Sequence, residues 1–205
     1  MSQKLILPLN HLYVTAGYKN LEYLKYRRMQ HYGIDCTSID RTIYACGNGV
    51  VVACGQDGRD RTGEHSRLGL VTVIIYYDVQ FNNGYCCDLT ARIYHMDRIF
   101  VKVGESVCKG QKIGIYGNTG KDTTGPHLHI EFDTDTRFPT LAYGVTVNPS
   151  ARIVNTPQEY ARAGYILVDS TVDPAHVWFC GEEQTIQCAS SSWSIPEDLE
   201  VPLLP

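Results

Sequence analysis

No stretch of this 205-residue chain is long and apolar enough to cross a bilayer as a helix. The longest apolar run, residues 68–77, is about half of the roughly 20 residues that such a span needs. The opening MSQKLILPLNHLYV carries one Lys but lacks a sustained apolar core and a small-residue cleavage site, so it does not read as a signal peptide. Either export by that route is not expected, or a leader has been removed. Excess charge is also scarce. The net charge is −4 and the pI about 5.9, so no global basic field recruits nucleic acid and no such partner is expected. The short run Lys25-Tyr26-Arg27-Arg28 reads as a solvated face. Two metal-site patterns are missing as well. No C-x-x-C pair occurs among the eight cysteines, which leaves a cysteine cluster unsupported, and no H-E-x-x-H occurs, which excludes sites built on that helix.

What is present is ordinary for a globular protein with a real core: 43% hydrophobic and 20% charged residues. An even cysteine count invites disulfides, but that inference belongs to short secreted chains. Several cysteines sit in strand-like text (YACGNGVVVACG, ESVCKGQKIG), where a buried thiol acts as a small hydrophobe. Cys180 and Cys188, flanking Gly-Glu-Glu, form the best candidate disulfide.

Helical text is sparse. Residues 20–29 predict two or three turns with Leu21 and Leu24 on one side, and residues 157–163 a second helix start. Strand text dominates. Residues 42–54 place apolar runs on either side of Gly47-Asn48-Gly49, a hairpin signal. The run LVTVIIYY (70–77) is β-branched and aromatic, and residues 91–96, 99–103, 112–116 and 127–132 continue the pattern. This predicts an all-β fold, a sandwich or a partly open barrel. Composition shifts near Asn148-Pro149, giving a main domain over 1–155 and a C-terminal extension over 156–205. The extension's Val177-Trp178-Phe179, Ile186 and Trp193 suffice to pack a hairpin onto the domain but not to form a core of their own.

The chemistry-bearing residues fall in three blocks. In His127-Leu128-His129 a strand would project both imidazoles to one side, which suits a transition metal, or one metal ligand beside a proton carrier. In His31-Tyr32-Gly33-Ile34-Asp35, histidine and aspartate four apart can share a metal, and Gly33 permits close approach. Alone, that pair also fits a simple hydrogen bond. With one imidazole from His127 or His129, the set becomes two histidines and a carboxylate, the ligands of a catalytic zinc site with an open position for water. His95, on a strand, can take the water's proton or steady a tetrahedral intermediate. His11, His65 and His176 lack partners and read as surface residues. Glu131 is placed on the strand face opposite the pair and read as structural.

The blocks HYGID, ACGNGVVVACG, RIYHM, VKVGESVCKGQKIGIYGNTG and TGPHLHIEF, in this order, resemble the lysostaphin-type zinc endopeptidases that cut the peptides of bacterial peptidoglycan. The resemblance covers about residues 12–150. It implies one zinc bound by His31, Asp35 and His129, with His127 and His95 as the catalytic histidines. It further implies a compact antiparallel β core with an open groove for an extended peptide, a monomer, and action on the cell wall. Three features depart from the family. Ile93 stands where an aromatic residue is usual two before the central histidine, with Tyr94 adjacent, which alters the groove wall. Residues 56–67 are long and polar, predicting a loop beside the groove, and the tail matches no family feature. A non-catalytic wall-peptide-binding or hydrolase-activating relative, or a lytic part of a phage or secretion assembly, is the alternative reading.

Overall fold

The computed structural model describes residues 1–28, 30–56, 67–137, 139, 144–146, 166–180 and 184–188. The elements are β1 (His11–Ala16), α1 (Leu21–Arg27), β2 (Gly33–Thr37), β3 (Thr42–Tyr44), β4 (Gly49–Gln56), β5 (Leu70–Gln80), β6 (Cys86–Ile99) and β7 (Ser106–Val107). They continue with β8 (Lys112–Tyr116), β9 (Leu128–Asp133), β10 (Gly144–Thr146), β11 (Ile166–Val168), β12 (Thr171–Val172) and β13 (Thr185–Cys188). The main sheet runs β13-β1-β2-β9-β6-β5-β4-β7, with β12 on β9, and β8 joined to both β3 and β6. All its pairs are antiparallel except β1 with β13. The predicted all-β class holds, and β10 pairs with β11 separately.

Strand alternation decides which residues meet. Ile34 and Cys36 on β2, Leu128, Ile130 and Phe132 on β9, and Ala91 and Ile93 on β6 are fully buried on one face. They pack with Leu5, Leu7, Leu9 and Trp178 into one hydrophobic core. The opposite face carries polar chemistry. Its register sets Asp35 beside His129 and His129 beside Tyr94, then Gly33 beside Glu131 and Glu131 beside Arg92. Three neighbouring strands thus line up two rows of functional side chains.

Three local expectations are corrected and one, the helix, holds. The Gly47-Asn48-Gly49 turn does not close a hairpin: β3 pairs with β8, and β4 pairs with β5 and β7. The turn instead embraces the N-terminal segment. Gln3 accepts from the Asn48 N–H at 2.7 Å and donates to its carbonyl at 2.8 Å, and a Cβ on Gly47 would lie 2.5 Å from Leu5. Residues 99–103 do not form a strand of their own; β6 runs unbroken to Ile99 and the chain then turns. Helix α1 forms, capped by Asn20, whose side chain accepts from the Glu22 and Tyr23 N–H groups. Leu21 and Leu24 are exposed, as is Tyr26 in the basic run, and Tyr23 is the residue turned inward. Finally, Cys180 is a free thiol donating to the Gln184 carbonyl at 3.1 Å, so the expected disulfide with Cys188 is not made. Cys36 and Cys46 are buried free thiols.

The C-terminal segment packs into the same core, but not as a hairpin. Val177 and Trp178 are fully buried, with the Trp178 ring edge-on to Phe132 at 5.9 Å. Strand β12 lies along β9 and β13 along β1. Between them, buried Gln184 accepts from the Leu7 N–H at 3.1 Å and donates to the Leu7 carbonyl at 2.9 Å. The sequence-predicted helix start at 157–163, the polar stretch at 57–66, His65 and Trp193 lie outside the described residues.

Candidate metal centre

Three ligand-type atoms converge where β2 meets β9. The His129 Nδ1 lies 2.7 Å from Asp35 Oδ1, and the His31 Nε2 lies 3.2 Å from both. These three groups form a cluster able to hold a metal ion, all ligand atoms lying within 4.8 Å of one another. Two imidazole nitrogens and a carboxylate oxygen suit a borderline metal such as zinc and leave a position open. The donor set therefore fits the expectation from the sequence. Gly33 makes the packing possible: a Cβ there would sit 2.4 Å from the Ile130 carbonyl and 2.9 Å from His129 Nε2.

Each histidine of the cluster is braced at its other nitrogen. His31 Nδ1 meets the Gly17 carbonyl at 2.7 Å, and its ring stacks on Tyr23 at 4.3 Å. His129 Nε2 meets Glu131 Oε1 at 3.1 Å, and its ring stacks on Tyr94 at 5.2 Å. Glu131 corrects the reading from sequence. Residues 129 and 131 are two apart on β9, so they share a face, and Glu131 belongs to the site. The i, i+2 rule that paired His127 with His129 was the signal that could have found it. Behind Glu131 lies fully buried Arg92, 3.5 Å from Glu131 Oε2 and 2.7 Å from Asp133 Oδ2, with the Tyr94 hydroxyl donating to Glu131 at 3.2 Å.

The two remaining histidines flank the cluster. His127 Nδ1 meets the Gly125 carbonyl at 2.8 Å, and its Nε2 lies 3.5 Å from Asp35 Oδ1. His95 Nδ1 meets the Thr119 carbonyl at 2.9 Å, and its ring is 4.9 Å from that of His127. In the neutral form, a backbone carbonyl at Nδ1 holds the proton there and leaves Nε2 with its lone pair. Ile93 faces the core and Tyr94 faces the site, so the departure at position 93 does not touch the cluster. His11 and His176 are exposed, as expected.

Burial pushes His95 down to about 4, which keeps it neutral and proton-accepting at neutral pH. Burial also pushes His127 down, but the hydrogen bond and charge of Asp35 outweigh it and hold this imidazole above its ordinary value. His129 is the extreme case. Burial opposes its charge, yet hydrogen bonds to Asp35 and Glu131 raise it to about 10. Asp35 is buried too, but the His127, His129 and His31 rings hold it well below the usual carboxylate range.

The description of peptidase family M23 matches residues 29–149, more than half of the chain and inclusive of every residue named in the cluster. The chain belongs to peptidase family M23. This M23 peptidase chain is 39% identical over 102 residues to the peptidoglycan DD-endopeptidase ShyA of Vibrio cholerae, covering 49% of this chain and 20% of that protein. It is 34% identical over 121 residues to ShyB, a peptidoglycan DD-endopeptidase of the same organism, covering 58% of this chain and 24% of the relative. Among solved structures it is similar to a zinc containing peptidase from Vibrio cholerae, with 30% identity and a TM-score of 0.50, covering 64% of this chain and 37% of that one. The chain spans about a fifth to a quarter of the length of these curated relatives. For this M23 chain, Glu131→Gln should weaken metal affinity about 10- to 100-fold, measured by competition with a chelating dye, because the brace that orients His129 loses its charge.

Proposed function

We propose that this chain is a zinc-dependent endopeptidase that hydrolyses peptide bonds of bacterial peptidoglycan, at the cell wall, with one zinc held by His31, Asp35 and His129. The observation that carries this reading is the convergence of those three groups beside two further histidines, each held at Nδ1 by a backbone carbonyl. Zinc, when bound, supplies Lewis-acid polarisation of the scissile carbonyl and acidifies a water molecule. The protein's own part is proton management. His127 and His95 are each fixed at Nδ1; His95, kept neutral by burial, accepts the water's proton at Nε2, while His127, whose charged form Asp35 favours, steadies the tetrahedral intermediate. His95, so protonated, then donates from the same nitrogen toward the leaving amine. Tyr94 and Tyr23, stacked on the two ligand rings, restrict ring rotation and border the groove we assign to an extended peptide. The tail residues buried in the core support 156–205 as an extension of the 1–155 unit.

All five histidine and aspartate positions are intact, which favours an enzyme over a non-catalytic wall-peptide binder; a lytic part of an assembly is compatible with the same chemistry. The test is digestion of purified, cross-linked peptidoglycan with and without chelator, with new amine and carboxyl ends identified by mass spectrometry. The relatives' names make the D,D cross-link the first bond to examine. Chelator-sensitive release of new ends is expected. Purified protein without zinc and without such cleavage would sink the proposal.

A further inference from the structure

His95 sits at a backbone conformation that its residue type resists. Its φ is +60°, in the left-handed region, a strained conformation that a non-glycine residue keeps only where the surroundings enforce it. The conformation has a consequence. In a regular pleat Tyr94 and His95 would point to opposite faces, yet both rings lie at the site, 5.2 Å from His129 and 4.9 Å from His127 respectively. The pairing of β6 with β8 shifts register just beyond, between Met96 and Arg98.

Much of the enforcement comes from one residue. The Thr119 hydroxyl donates to the Met96 carbonyl at 2.7 Å and accepts from the Leu70 N–H at 2.9 Å, tying the start of β5 to β6 one residue past His95. The Thr119 carbonyl accepts the His95 Nδ1–H at 2.9 Å. Backbone bonds from His95 N to Leu68 O at 3.0 Å and from Gly117 N to His95 O at 2.9 Å complete the cage. The approach is close enough to demand glycine at position 69, with φ of +75°: a Cβ there would lie 2.2 Å from the Thr119 hydroxyl. We propose that Thr119 is a positioning residue, whose hydroxyl locks the left-handed turn at His95 and whose carbonyl fixes its proton on Nδ1, so that Nε2 faces the reaction. This rests on the reading of His95 as a proton acceptor in hydrolysis.

The test uses the full chain loaded with zinc, in wild type, Thr119→Val and Thr119→Ser. Valine keeps the shape and removes the hydroxyl, whereas serine retains it. Nitrogen NMR of the imidazoles should show wild-type His95 as the neutral Nδ1–H tautomer, and the valine variant as a mixture. In that variant kcat should fall about 10²-fold, the scale of an ångström-level misplacement, with KM and bound zinc unchanged. Serine should restore both spectrum and kcat to near wild type. A wild-type His95 with its proton on Nε2 overturns the proposal, and so does a valine variant with wild-type kcat and spectrum. The tautomer is read without turnover, and a wild-type proton on Nε2 overturns the proposal whether or not the valine variant folds. Absent chelator-sensitive cleavage together with an Nδ1–H tautomer would sink the hydrolase reading and leave the Thr119 clamp standing.

Discussion

Replacing His129 with alanine should abolish zinc binding and hydrolysis together, whereas His127→Ala should keep the zinc and lose about 10²- to 10⁴-fold in kcat. The two residues stand two apart in the chain, so the asymmetry must come from their surroundings. His129 lies inside the ladder between β2 and β9, directly opposite Asp35, and its Nδ1 is within 2.7 Å of the carboxylate. Removing it leaves His31 and Asp35, two ligands where a tight site needs three. His127 lies just outside the ladder, at an isolated bridge to Gly117. Its Nδ1 is committed to Gly125, and its Nε2 is 3.5 Å from Asp35, placed beside the cluster rather than in it. Metal content by elemental analysis and turnover on cross-linked peptide, measured on the same preparations, separate the roles. Equal zinc loss in both variants would refute the division within the pair.

The strand-period argument found this pair, and His31 with Asp35 stood out as a second local block around a glycine; that His129 rather than His127 joins them came from the family resemblance. Strand text also placed β8 to the residue and β9 within one residue at each end, but it ended β5 at Tyr77, short of Gln80. His95 was legible as a residue but its orientation was not. A φ of +60° is imposed by Thr119, Leu68 and Gly117, which no local pattern around position 95 reveals. The hairpin at Gly47-Asn48-Gly49 failed for a related reason. Its glycines serve the passage of Gln3 and Leu5 from the far N-terminus, and only the tertiary fold brings them there. Trp178 was expected to pack on the domain. That it meets Phe132, on the core side of the strand bearing His129, is information of the same long-range kind.

Zinc binding should release one proton at neutral pH, and apparent affinity should rise about tenfold per pH unit from near 7 toward 10. The cause is the proton on His129. Its imidazole lies between Asp35 at 2.7 Å and Glu131 at 3.1 Å, and these carboxylates outweigh burial to raise it to about 10. The nitrogen facing Asp35 is the one a metal would take, so metal and proton compete for it. The sign for stability follows. A histidine raised above its unfolded value near 6.5 stabilises the metal-free fold fully below that pH, by an amount of order a few kcal/mol, and the contribution is lost as pH climbs through about 10. The lowered values of Asp35 and Glu131 express the same hydrogen bonds and add nothing independent. Zinc reverses the trend, because deprotonation is what it requires. Scanning calorimetry at fixed free zinc should therefore show the gap in Tm between loaded and metal-free protein widening from pH 6.5 to 9, and calorimetric titration in buffers of different ionisation enthalpy should count the proton. A gap that narrows with pH would place the titrating proton elsewhere than between Asp35 and Glu131.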